Sequence, residues 1–194
     1  MTDKIFQIQI ALKGFKPKIW RRILIPSDLL LSDFHKIIQT TMGWTNSHLH
    51  QFIKNRTFYS VKYADDDMWD EMDNVDYKKK KIRISDLIKV DKDKIIYEYD
   101  FGDGWEHDII LENVLPVDNN IKYPICLIGK MNCPPEDCGG IWGYTDMLEI
   151  LRQPDHEEYE SFIEWLGDEF DPDYFNKDEV NDLLKEKDYG CIEL

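Results

Sequence analysis

Apolar and polar positions along this chain follow two periods, and the change between them divides it. Phe6, Ile8 and Ile10 fall on one face, with Ile5, Gln7 and Gln9 on the other, the period of two of a half-buried strand. "KIFQIQIALKGFKPKIWRRILIP" therefore predicts two strands joined by the Gly/Pro turn "KGFKPK". Beyond it, Leu30, Phe34, Ile37, Ile38 and Thr41 recur at helical spacing, and Gly43 supplies a helix stop. "HLHQFIKNRTFYSV" reads as extended again, so the chain opens β-β-α-β.

The middle is mixed. "DDDMWDEMDNVDYKKKKIR" carries seven acids and then a basic run without apolar period, which predicts a long exposed excursion whose charge blocks answer each other. "ISDLIKV" predicts a short helical turn with Ser85 as its cap. "KIIYEYD" and "WEHDIILENVL" alternate as strands. After the Gly/Pro-rich "YPICLIGKMNCPPEDCGGIWGY" the period becomes helical. Thr145 is placed to cap "DMLEILRQ", which Pro154 ends. Tyr159, Phe162, Ile163 and Leu166 make a stripe ending at Gly167, and Asn176 with Glu179 resembles a capping box. The whole, residues 1–194, reads as a single α+β domain. An antiparallel or mixed sheet, reminiscent of a β-grasp, comes first, and a helical C-terminal third packs on it.

Composition narrows the function classes. With 42% hydrophobic and 13% aromatic residues the chain buries a core, and its net charge of −15 opposes phosphate and anionic membrane surfaces. Direct duplex DNA binding and membrane association are therefore not expected. No apolar run approaches the roughly 20 residues of a membrane span, and "MTDKIFQIQI" has no signal-peptide layout. These features predict a cytoplasmic protein with reduced thiols. Cys126, Cys133, Cys138 and Cys191 lack the paired C-x2-C spacing of a structural zinc site.

The densest chemistry lies in "YEYDFGDGWEH", Tyr97 to His107. Asp100-Phe101-Gly102 spells the kinase magnesium triplet, but no glycine-rich loop, strand lysine or H-R-D loop precedes it. Counted from Asp100 as a calcium loop, the sixth and twelfth positions are Trp105 and Leu111, not glycine and glutamate. A β-hairpin survives, with "FGDG" as turn chemistry. A two-residue turn at Asp103-Gly104 sets Asp100 opposite His107, and a four-residue loop sets Glu98 there. Either register gives a cross-strand His–carboxylate pair, useful to an enzyme and ordinary in a fold.

His48 and His50 in "HLH" share one side of a strand and are candidate metal ligands, as is His107. His35, beside Phe34, reads as a flank residue rather than a ligand. In "PPEDCGG", Pro134-Pro135 stiffens the chain before Gly139-Gly140 frees it, holding Glu136 and Asp137 at a loop apex. The bland reading of these acids is capping. The sharper one makes Asp100, Asp103, His107, Glu136 and Asp137 candidate acid/base or ligand groups, with a divalent metal as the implied cofactor, where the hairpin, the H-x-H strand and this loop meet. Arg21 and Arg22 lie on opposite faces of a strand, so one is expected to pair with an acid.

"IWRRILIP", "DFHKIIQTTMGWTNSHLHQF", "YEYDFGDGWEH", "YPICLIGKMNCPPEDCGG" and "FDPDYFNKDEVN", in that order, closely resemble the plasmid pRiA4b ORF-3-like family, from about Ile5 to Leu184. The resemblance implies an α+β fold and an association with plasmids and mobile elements, and it brings no assigned activity. A recombinase would need a nucleophilic serine, an arginine cluster and a basic DNA-binding region, none of which this acidic chain presents. Two functions follow as expectations: a cytoplasmic accessory protein binding a protein or small molecule, or a metal-dependent hydrolase built on the His/Asp/Glu set.

Overall fold

The structure is a computed structural model that describes residues 4–62, 74–167 and 170–192. Among the described residues eight strands form one sheet: β1 (Lys4–Leu12), β2 (Trp20–Pro26), β3 (His50–Lys54), β4 (Thr57–Ser60), β5 (Asn74–Asp76), β6 (Lys94–Tyr99), β7 (Trp105–Pro116) and β8 (Ile125–Lys130). Their order is β5-β4-β3-β6-β7-β1-β2-β8, with β4–β5 parallel and the other neighbours antiparallel. The helices are α1 (Leu31–Met42), α2 (Tyr77–Lys80), α3 (Ile84–Leu87), α4 (Gly140–Ile150), α5 (Tyr159–Leu166) and α6 (Lys177–Leu183), before a last turn at Lys187–Gly190. This is a single α+β domain with a mixed, mostly antiparallel sheet and a largely helical C-terminal part. Among the described residues no helix is long and apolar enough to cross a membrane.

The alternation in the strands produces a two-faced sheet. Inward positions Ile8, Ile10, Ile23, Tyr97, Trp105 and Ile109 join Phe34, Ile37 and Ile38 of α1 in one core cluster. Burying each such side chain contributes about 1.5–3 kcal/mol. The outer face carries polar side chains instead. There Arg22 forms a bidentate pair with Glu112 at 2.5 and 2.8 Å, and Gln7 and Gln9 donate to the same carboxylate. The other arginine of the pair, Arg21, is buried and donates to the carbonyls of Thr41, Trp20 and Lys130.

Helix ends explain where the sequence reading held and where it slipped. Gly43 ends α1 at φ 99°, donating to the Gln39 carbonyl, and Asn176 caps α6 while its amide reaches Glu179. Ser85 is not a cap: Arg83 precedes α3, and its N–H donates to Asp86. Thr145 lies inside α4, returning its hydroxyl to the Ile141 carbonyl. The helix starts earlier, after Gly139, because a glycine at 143 lets its first turn sit against the Cys138 carbonyl, only 1.9 Å from where a Cβ would be. The acidic half of the expected excursion, residues 65–73, lies outside the described residues. Its later part is structured: Asn74–Asp76 pairs with β4, Asp76 caps α2, and Tyr77 is buried, since an aromatic ring gains more from the core than from water.

Candidate functional site

β6 and β7 form the expected hairpin, but in neither anticipated register. Tyr97 faces His107 and Tyr99 faces Trp105, which leaves residues 100–104 as the loop. The Gly104 N–H donates to the Asp100 carbonyl at 2.7 Å. Asp100 takes φ 57° and Gly104 φ 68°, and the Asp100 carboxylate accepts from the Gly102 N–H at 2.9 Å. Asx-type bonding of this kind makes the left-handed conformation tolerable for aspartate. An odd loop length reverses the parity of the pairing, so His107 meets a tyrosine instead of a carboxylate.

His107 is consequently a core residue. It is fully buried, its Nδ1 lies 3.4 Å from the Tyr97 carbonyl oxygen, and Trp44 packs edge-on at 5.1 Å. Burial pushes its pKa down to about 4, so the imidazole is neutral at pH 7. His50, first residue of β3, stacks on His35 with ring centroids 3.4 Å apart and bonds the Tyr77 hydroxyl at 2.6 Å. His35 bonds Tyr97 and Asn46. Burial lowers both of these pKa values as well, His35 to about 4.

His48 goes elsewhere. It precedes β3, and its ring lies between two carboxylates: Nδ1 is 3.8 Å from Asp100 Oδ2 and Nε2 is 3.3 Å from Asp137 Oδ1. One ligand atom from each of His48, Asp100 and Asp137 lies within 4.8 Å of the other two. Side-chain exposure rises from 10% at Asp100 through 26% at His48 to 72% at Asp137, so the cluster opens to solvent on one side. The hairpin loop, the segment before β3 and the "PPEDCGG" loop thus meet. His107 and His50 are not part of that meeting.

The loops are held together by close backbone contact and by the remaining acids. Asp103 accepts from the Gly139 N–H at 3.1 Å. Gly140, at φ 67°, brings its α-carbon so near the Asp103 carbonyl that a Cβ would lie 2.5 Å from the oxygen. Glu136 accepts from the Thr45 N–H and hydroxyl, the Ser47 hydroxyl and the Tyr99 hydroxyl at 2.5–2.9 Å. Burial alone would raise its pKa, but these donors outweigh it and the net shift is downward. Trp44 adds a hydrogen bond to the Pro134 carbonyl. Sequence reasoning missed Thr45, Ser47 and Tyr99 as builders of the site. The polar run "TNS" between Trp44 and His48 was the available signal.

An α+β domain whose loops converge on a His/Asp/Asp cluster is the class these observations define. The chain matches the plasmid pRiA4b ORF-3-like protein family over residues 4–179 and belongs to that family. It is 34% identical over 167 residues to uncharacterized protein y4hQ of Sinorhizobium fredii, covering 86% of this chain and 83% of the relative. It is also similar to the crystal structure of MM3350, a protein of unknown function from Methanosarcina mazei, at 38% identity and a TM-score of 0.80. That match covers 92% of this chain and 98% of the other.

Proposed function

We propose that the protein is a divalent-cation-binding accessory domain, with His48, Asp100 and Asp137 as its ligands. The observation that supports this is the approach of one imidazole and two carboxylates, from segments far apart in sequence, to within 4.8 Å of one another. Donors bound about 2.0–2.2 Å from one cation at tetrahedral angles lie about 3.3–3.6 Å apart, so the side chains would draw in by about 1 Å around an ion. Neighbouring carboxylates repel unless a cation or imidazolium compensates them, so the arrangement gains stability when an ion enters. A mixed nitrogen and oxygen donor set suits zinc, manganese or iron. The partner that a loaded site would serve is a cytoplasmic protein or small molecule, since a charge of −15 opposes nucleic acid and anionic membrane.

The test is elemental analysis of protein purified without chelator, followed by calorimetric titration of Mn2+ and Zn2+. One ion per chain is expected, with binding weakened at least tenfold in Asp100→Asn. Equal uptake by that variant contradicts the assignment.

The second reading is a metal-dependent hydrolase. Among the described residues three protein ligands are available, which leaves coordination positions for water, and the exposure of Asp137 gives a substrate a way in. Binding without hydrolysis is favoured because the nearby acids are engaged elsewhere. Glu136 is used by Thr45, Ser47 and Tyr99, and Asp103 accepts from Gly139, so neither is free as a general base.

A further inference from the structure

We propose that a second site lies on the open face of the sheet, at the end of β6 remote from the cation cluster. It would take an anionic amphiphile, a free carboxylate attached to an apolar chain. Phe58 is the register partner of Ile53, and Ile53 of Ile96, so these three side chains form a row across adjacent strands β4, β3 and β6. Their chain neighbours Tyr97 and Phe52 point into the core, which directs the row outward by the strand period. All three are half-buried, and they line a groove of about 470 Å3. That volume is in the range of about 300–1,000 Å3 typical of small-ligand sites.

Charge selects the occupant. Lys54, Arg56 and Lys94 stand at the groove, and no acid is among the described residues lining it. Lys94 is ion-paired with Asp108, so the local excess comes from Lys54 and Arg56, in a chain of net charge −15. Lys54 and Lys94 are held in place: Lys54 donates to the Lys94 carbonyl at 2.9 Å, and Lys94 contacts Asp108 at 2.7 Å beyond the apolar row. Arg56 is exposed at the hairpin tip. Its guanidinium offers the fork that a carboxylate accepts in bidentate fashion. Asp108, the register partner of Ile96, ends the row on β7 and takes up Lys94, so Lys54 and Arg56 at the β3–β4 end supply the charge that a carboxylate head would meet, with the hydrocarbon body along Phe58, Ile53 and Ile96.

The turn supplies a clean test. Asn55 and Arg56 have φ 50° and 68°, a conformation that glycine adopts without strain. Arg56→Gly therefore removes the charge while easing the backbone, and lost binding in it is not a folding defect. Decanoate titrated by calorimetry and by amide NMR should bind at a single site, with shifts centred on Ile53, Phe58 and Ile96. Arg56→Gly should weaken it at least fivefold, and Ile96→Ser should weaken it similarly without moving cation binding. Decanol should bind at least tenfold more weakly, and decyltrimethylammonium should not compete. The proposal is overturned if decanoate shows no saturable binding, if decanol binds as well, if both variants bind normally, or if only phosphatidylglycerol vesicles are bound.

Discussion

His48 and His50 are separated by Leu49 alone, yet they belong to regions with opposite physics. His50 is stacked on His35, bonded to Tyr77 and held neutral by burial. His48 sits outside the sheet between Asp100 and Asp137, with access to water. Side-chain identity and spacing are the same in both, so what decides whether an imidazole is structural or available is the ladder. Once the chain enters β3, pairing His50 with Tyr99 fixes the residue into the packed face. Before β3, no ladder constrains the ring, and loops from elsewhere in the chain determine its neighbours.

The largest expected effect tests the buried side of that comparison. His35 and His107 have pKa values near 4 in the fold, against about 6.5 when exposed. Below pH 6.5 the unfolded chain takes up protons that the fold refuses, so stability present above pH 6.5 is lost as pH falls towards 4. Each histidine should contribute a loss of about 2–4 kcal/mol over that window. Urea midpoints at pH 7 and pH 4.5 measure it, and a flat profile would show that these rings are not buried and neutral.

Next in size, His50→Ala should cost about 2–3 kcal/mol, because it opens a cavity beside His35 and removes the hydrogen bond between His50 and the Tyr77 hydroxyl. Cation affinity should be unchanged where the variant is folded. Gly140→Ala should cost about 2 kcal/mol, through a left-handed φ and a clash with the Asp103 carbonyl. It should also weaken the cation, since it drives the two loops apart. That joint effect distinguishes it from His50→Ala. The smallest expected effect concerns duplex DNA, for which anisotropy titration at physiological salt should show no nanomolar binding. Tight binding would overturn the argument from net charge.

Much of the fold was legible because local rules and tertiary packing agree. Alternation marked β1, β2, β6 and β7, Gly43 marked the end of α1, Asn176 marked the start of α6, and the paired arginines divided into one buried and one paired with an acid. The site was legible only by region. The proline-stiffened loop, the hairpin and the histidine segment were the right places, but which side chains meet depended on a loop parity that sequence does not encode. One residue more in the 100–104 loop than the longer anticipated turn placed His107 in the core. Likewise, nothing local announces that His35 and His50, from a helix and a strand, will stack. Thr145 failed as a cap for a related reason, because the glycines before it permit a tight first turn that propensity alone does not favour.

In the proposed cation site His48, rather than His50 or His107, joins Asp100 and Asp137. The most direct measurement is an anomalous difference map from crystals of the protein soaked in Mn2+, collected for the unmodified chain and for His48→Ala. One strong peak bounded by His48, Asp100 and Asp137 is expected, absent from the variant. A peak at other residues, or one that persists undiminished in His48→Ala, would contradict this assignment.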